Sequence, residues 1–319
     1  MRIDLNHLPI TKQRELDRVV EILFQGFREA TQEATGRRKS ARILKVILFG
    51  SYARGDWVDA PFDSNQYKSD YDILVIVNQK ELTDSVLYWE ETEQRLFDAY
   101  QVEKIIRTPV NFIVHTLQQV NDGLSHGRLL FTEIAKDGVI LYQSDDRPLA
   151  DVKPKTPEQA YVIAKEYFED LFPGAMWRFE LANYSQTHHR YRDSAFDLHQ
   201  SVEKLYKCVL TVFTFYAPRS TNIVFLRGMA EGLDRRLFDA WPRATHAERA
   251  MYQKLKEAYR KGQHSKHFDI SPEELDWLRD RLQVLGELVH GVCSERIAKL
   301  KIDAETAEMP SGVKPIPSD

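Results

Sequence analysis

The chain has 319 residues, 43% hydrophobic and 29% charged, with a formal net charge of −4. That length and mix build globular domains with real cores, two of ordinary size, and the charge excludes polyanion binding by bulk attraction, so a nucleic-acid contact needs a local patch. No apolar run approaches the roughly 20 residues that span a bilayer, and Met1-Arg2-Ile3-Asp4-Leu5-Asn6-His7 lacks the apolar stretch of a signal peptide.

No membrane contact is expected without such a run, and two cysteines, Cys208 and Cys293, fall in helical apolar patterns and read as small buried hydrophobes of a reducing compartment, by default the cytoplasm. From a candidate N-cap at Thr11, the residues Leu16, Val19, Val20, Leu23 and Phe27 recur at helical spacing. The turn Gly36-Arg37-Arg38-Lys39-Ser40 ends that helix, its basic run reading as solvated. The apolar run Ile43–Phe49 is a strand that empties into Gly50-Ser51. Asp70–Val77 is a second strand, opening with Asp-x-Asp. Glu81–Tyr100 is helical by pattern, and Pro109–His115 is a third strand. Arg128–Lys136 reads as a helix stopped at Gly138, with a short strand Val139–Tyr142 beyond it. The alternation predicts an α/β domain with a small mixed sheet over residues 1–145.

Residues 146–155, with Pro148 and Pro154, read as a linker. Thr156-Pro157-Glu158-Gln159 is a strong helix start, and no convincing strand follows it. Leu198, Val202, Leu205, Val209 and Val212 form one apolar stripe. Ser271-Pro272-Glu273-Glu274 is a second capping box, launching Leu275, Leu278, Leu282, Leu285, Val289 and Val292 as a packing seam. Residues 156–301 are therefore expected to be an all-α antiparallel helical bundle, and residues 302–319 a disordered tail.

The chemistry concentrates at two points of the first domain. Successive side chains of a strand alternate faces, so Asp70 and Asp72 share one, where two carboxylates can hold Mg²⁺ bridging nucleotide phosphates. Gly50 lets the backbone approach a phosphate closely, and Ser51 adds a hydroxyl and an amide donor. Arg54 and Lys68 are candidates to neutralise triphosphate charge. Either motif alone is an ordinary turn or a water-facing strand end. Their order, each flanked by an apolar strand, points to ATP or another NTP with Mg²⁺.

Gly50-Ser51-Tyr52-Ala53-Arg54-Gly55 followed by Ser69-Asp70-Tyr71-Asp72-Ile73-Leu74-Val75 resembles the signature of the minimal nucleotidyltransferases, a polymerase-beta-like, kanamycin-nucleotidyltransferase-like superfamily. The resemblance covers about the first 145 residues. It implies transfer of a nucleoside monophosphate from an NTP, with Mg²⁺ held by Asp70 and Asp72. Two departures stand out: an extra segment around Trp57–Lys68, and Asn111 where the family's third carboxylate is expected. An amide oxygen can coordinate a cation but cannot act as a base. His115, at the same parity as Asn111, is either a substitute base or an ordinary strand-end histidine.

Phe196–Lys207, Glu257-Ala258-Tyr259-Arg260 and His267-Phe268-Asp269-Ile270-Ser271 resemble the HEPN family of helical bundles. That resemblance implies RNA contact through the helical domain, a homodimer, and a place in a bacterial toxin–antitoxin or defence module. It also implies a metal-free ribonuclease site, with His267 moving a proton at the 2′-hydroxyl and Arg260 stabilising the phosphorane, although Lys261 departs from the usual small polar residue after the arginine. Three readings result: a nucleotidyltransferase acting on a protein, RNA or small-molecule hydroxyl; a HEPN-type ribonuclease regulated by its transferase domain; and a non-catalytic nucleotide-binding dimer.

Overall fold

The structure, a computed structural model, describes residues 1–32, 39–58, 69–264 and 268–308, without the side chains of 260–264. The chain divides into two compact units, Met1–Pro154 and Lys155–Asp319.

The first unit opens with helix α1 (Ile10–Thr31), capped at Pro9 rather than Thr11. Strand β1 (Ile43–Phe49) runs directly into the short helix α2 (Gly50–Arg54), and β2 (Tyr71–Val77) follows. The helix expected over Glu81–Tyr100 is broken into a 3₁₀ turn (Lys80–Thr83), α3 (Ser85–Tyr88) and α4 (Glu90–Gln101). Two local bonds break it. Asp84 caps α3 by accepting from the amides of Val86 and Leu87, and the buried Trp89 indole donates to Leu82 O at 2.7 Å. Strand β3 (Val110–Thr116) then leads into α5 (Leu117–Ser125), α6 (Leu129–Asp137) and β4 (Val139–Gln143). The sequence reading passed over α5, yet its Thr116–Gln119 capping box is fully formed.

The four strands form one mixed sheet in the order β3-β2-β1-β4. β1 is antiparallel to both β2 and β4, whereas β2 and β3 are parallel. Every residue of β1 is buried, which explains why it is apolar at every position but Lys45, whose Nζ donates to Asp145 O: a strand covered on both faces has no reason to alternate. On one face Leu16, Val19, Leu23 and Phe27 of α1 pack with Val46, Leu48, Ile73 and Val75. On the other, a Cβ on Gly138 would lie 2.9 Å from Ile47, so the chain entering β4 passes tightly over the sheet.

The second unit is helical: α7 (Pro157–Thr187), α8 (Tyr191–Thr214), α9 (Ile223–Leu233), a 3₁₀ turn (Arg235–Ala240), α10 (His246–His264) and α11 (Pro272–Glu308). Both predicted capping boxes are made, Thr156 with Gln159 and Ser271 with Glu274. The stripes of α8 and α11 are buried, and α11 continues to Glu308 instead of ending at Lys301, with Leu300 and Ala304 still buried. The rest of the expected tail, 309–319, lies outside the described residues. Cys208 and Cys293 are both buried, and the Cys293 thiol is pushed up by its contact with Cys208 and then by burial. Glu231 of α9 receives two arginines, Arg227 Nε and Arg243 Nη2, each at 2.7 Å. Among the described residues no helix is long and apolar enough to cross a membrane.

His199 on α8 is 1% exposed and stacks on Tyr259 of α10 at 5.1 Å. Burial lowers its pKa from 6.5 to about 4. The unfolded chain therefore takes up a proton below about pH 6.5 that the folded chain refuses. Stability is unaffected above that pH and falls by about 3 kcal/mol as the pH drops to about 4. Denaturant unfolding at stepped pH is expected to show this loss in the wild type and to lose most of it in His199→Gln.

Candidate nucleotide site

The site-bearing segments meet through strand register. Phe49, the last residue of β1, pairs with Asp72 of β2, and Asp72 pairs with Asn111 of β3. One row across the sheet thus brings the start of α2, the Asp-x-Asp strand and the third strand side by side. Gly50, next after Phe49, takes φ +74°, a conformation open mainly to glycine. A Cβ built there would sit 2.5 Å from Asp72 Oδ2, so the backbone of the Gly-Ser turn lies against that carboxylate. Ser51 is half-buried in the first turn of α2, and its carbonyl accepts from the amides of Gly55 and Asp56.

Asp70 stands immediately before β2 and Asp72 is its second residue, so in extended backbone the two share a face. Asp72 keeps some exposed surface, but its carboxyl is packed within the protein. Burial pushes it up to about 8 and the charge of Asp70 adds to the shift, while the Asn111 amide and the Arg54 guanidinium pull the other way. Asn111 stands at the register position expected for a third acid, and its Nδ2 donates to Asp70 Oδ2 at 2.8 Å. The amide nitrogen has two hydrogens to donate and meets both carboxylates, so Asn111 acts here as a donor and not as an acid.

Arg54 is exposed and lies 3.2 Å from Asp56, a surface pair of little energetic weight, but its charge still reaches Asp72. His115 is not brought to the carboxylates. It pairs with Ile76, four residues along β3 from Asn111 and hence about 13 Å away at strand rise, and meets Phe131 edge-on at 5.4 Å. Lys68 and His267 lie outside the described residues. Arg260 falls in α10, and its side chain is likewise outside them.

The donor set fits Mg²⁺. Among the described residues no group of three or more His, Cys, Asp or Glu is placed to hold a metal. Mg²⁺ needs none, being commonly held by one or two carboxylates with phosphates and water completing the shell. The repulsion that helps raise Asp72 is what a divalent cation between the two acids would cancel.

Several neighbours escaped the sequence reading. Tyr100, half-buried on α4, has its phenol pushed up by burial and then by the charge of Asp70, which places it near the site. Tyr52 and Tyr71 flank the two motifs and lie 4.5 Å apart, and Trp57 stacks on Tyr52 at 5.4 Å. The N-terminal segment supports α2, with Arg2 donating to Ala53 O and His7 Nε2 lying 2.8 Å from Tyr52 O. Tyr71, enclosed between two aspartates, could have been flagged from its position. The others carry no local pattern.

Residues 35–147, within the first unit, match the model of the family described as Polymerase beta, Nucleotidyltransferase. A solved structure of a nucleotidyltransferase-like protein from Exiguobacterium sibiricum 255-15 is similar over 90% of this chain and 88% of that one, at 13% identity and a TM-score of 0.24. No curated protein matches the chain.

Gly50→Ala forces a Cβ onto Asp72 from a left-handed backbone. The expected outcome is a loss of about 1–3 kcal/mol, read by denaturant unfolding. A stability equal to wild type would contradict the close approach.

Proposed function

We propose that the protein is a Mg²⁺-dependent nucleotidyltransferase that moves a nucleoside monophosphate from ATP or another NTP to a hydroxyl acceptor. The observation that carries this reading is the meeting of Gly50 with Asp72: a bare, positive-φ backbone seated against a buried carboxylate paired with Asp70. The family match over residues 35–147 supports the same chemistry.

In this reading Asp70 and Asp72 hold Mg²⁺, which when bound neutralises phosphate charge. The Gly50-Ser51 amides and the Ser51 hydroxyl take phosphate oxygens. Arg54 offsets triphosphate charge from the exposed side. The acceptor oxygen bonds to the α-phosphorus as the bond to pyrophosphate breaks. Asn111 takes up no proton, so the acceptor's proton leaves to solvent or phosphate, and its amide serves to hold Asp70. The HEPN-like reading of residues 156–301, with an RNA contact, a homodimer and a toxin–antitoxin or defence role, belongs to the same proposal.

The test incubates the purified protein with Mg²⁺ and each α-labelled NTP, following label onto protein, bulk RNA and small molecules, alongside Asp70→Ala. Transfer is expected in the wild type and should fall at least about a hundredfold in the variant, the labelled product naming the acceptor. No transfer to any acceptor by a protein that binds Mg-NTP would leave the non-catalytic reading.

Asn111→Asp tests the electrostatics independently. A third carboxylate in place of the Asn111 donor to Asp70 should cost about 1–3 kcal/mol of stability without metal. Millimolar Mg²⁺ should restore much of it. A variant as stable as wild type in EDTA would refute the predicted crowding of charge.

A further inference from the structure

Lys12 is a buried cation on the face of β2 opposite the carboxylates. It lies in the first turn of α1, is 8% exposed, and donates from Nζ to Thr108 Oγ1 at 2.7 Å. The same Nζ sits 5.4 Å from the centroid of the Tyr52 ring and 5.9 Å from that of Tyr71. Tyr52, Tyr71 and Thr108 are each fully buried. Glu15, one turn along α1, accepts from the Tyr71 hydroxyl at 3.2 Å.

The three partners belong to the three separate segments that build the site. Tyr52 follows Ser51, Tyr71 stands between Asp70 and Asp72, and Thr108 lies just before the strand that carries Asn111. Burying an ammonium is costly, and an apolar side chain of similar length would fill the space without that cost. What the cation adds is direction: a hydrogen bond to one segment and attraction to the ring faces of the other two. The Tyr71 ring fixes the backbone from which Asp70 and Asp72 project to the other side, and the Tyr52 ring fixes the turn of helix that begins at Gly50 and Ser51.

We infer that Lys12 is a positioning residue for the nucleotide site, holding the Gly-Ser turn, the Asp-x-Asp strand and the Asn111 strand in mutual register from behind. The inference rests on the nucleotide-site reading above. It concerns affinity for the Mg-nucleotide, which needs the turn and the carboxylates placed together.

The experiment measures by calorimetry the binding of Mg²⁺ with each NTP, well below the melting transition, for wild type, Lys12→Met, Thr108→Val and Leu16→Ala. Leu16, 1% exposed on the same helix, is the control for destabilisation alone. Lys12→Met is expected to bind at least about tenfold more weakly while still melting cooperatively. Thr108→Val should bind about threefold more weakly, having lost only the hydrogen bond. Leu16→Ala should lose stability but keep its affinity. Wild-type affinity in Lys12→Met overturns the inference, as does an equal loss in Leu16→Ala. Should Lys12→Met fail to fold, unchanged affinity in Thr108→Val overturns it. A wild type that binds no Mg-NTP sinks the nucleotide-site reading and the inference with it, a result read before any variant is compared.

Discussion

The candidate site depends on one register: Phe49 opposite Asp72 in the antiparallel pair at the centre of the sheet. A shift of one residue would turn Asp70 and Asp72 into the α1 core and leave Gly50 facing nothing. The burial pattern forbids that shift. Ile73, Val75 and Val77 fill the α1 face, while Leu74 and Ile76 are buried on the other. The apolar residues that stabilise the fold thus also hold the polar ones where chemistry is conceivable. Gly50 is the point of contact, where a side chain of any size would collide with Asp72.

Among the described residues the site holds more acid than base. Two acids share a strand face, one pushed up to about 8 by burial and its neighbour, with an exposed guanidinium at the edge and a neutral amide where a third acid would stand. A surplus of negative charge at a sheet end is a poor way to stabilise a fold and a good way to attract a hard cation. Asn111 keeps the acids at two rather than three, and its donated hydrogen bond gives Asp70 a fixed orientation.

Much of this was legible in the sequence because it was local. Strand β1, the Gly-Ser turn, the Asp-x-Asp strand, the two capping boxes and the seam of α11 all announce themselves through short-range pattern. The breaks at Asp84 and Trp89 did not, because a long-range apolar period reads straight through a side-chain cap. His115 was drawn toward the site by parity alone, which gives the face of a strand but not the position along it. Lys12 was invisible for a different reason. In Thr11-Lys12-Gln13-Arg14 it looks like any solvated first turn, and only the packing of three distant segments shows that it is buried.

Val58 and Ser69 exchange two hydrogen bonds, the Ser69 amide to Val58 O and the Val58 amide to Ser69 Oγ, both at 2.9 Å. Asp70 comes immediately after this clasp. Val58 follows the Gly-Ser turn and Ser69 precedes the acids, so the clasp ties those two segments together a second time, beyond the pairing of Phe49 with Asp72. Loss of the Ser69 hydroxyl would remove one of its two bonds and leave the sheet register as it is.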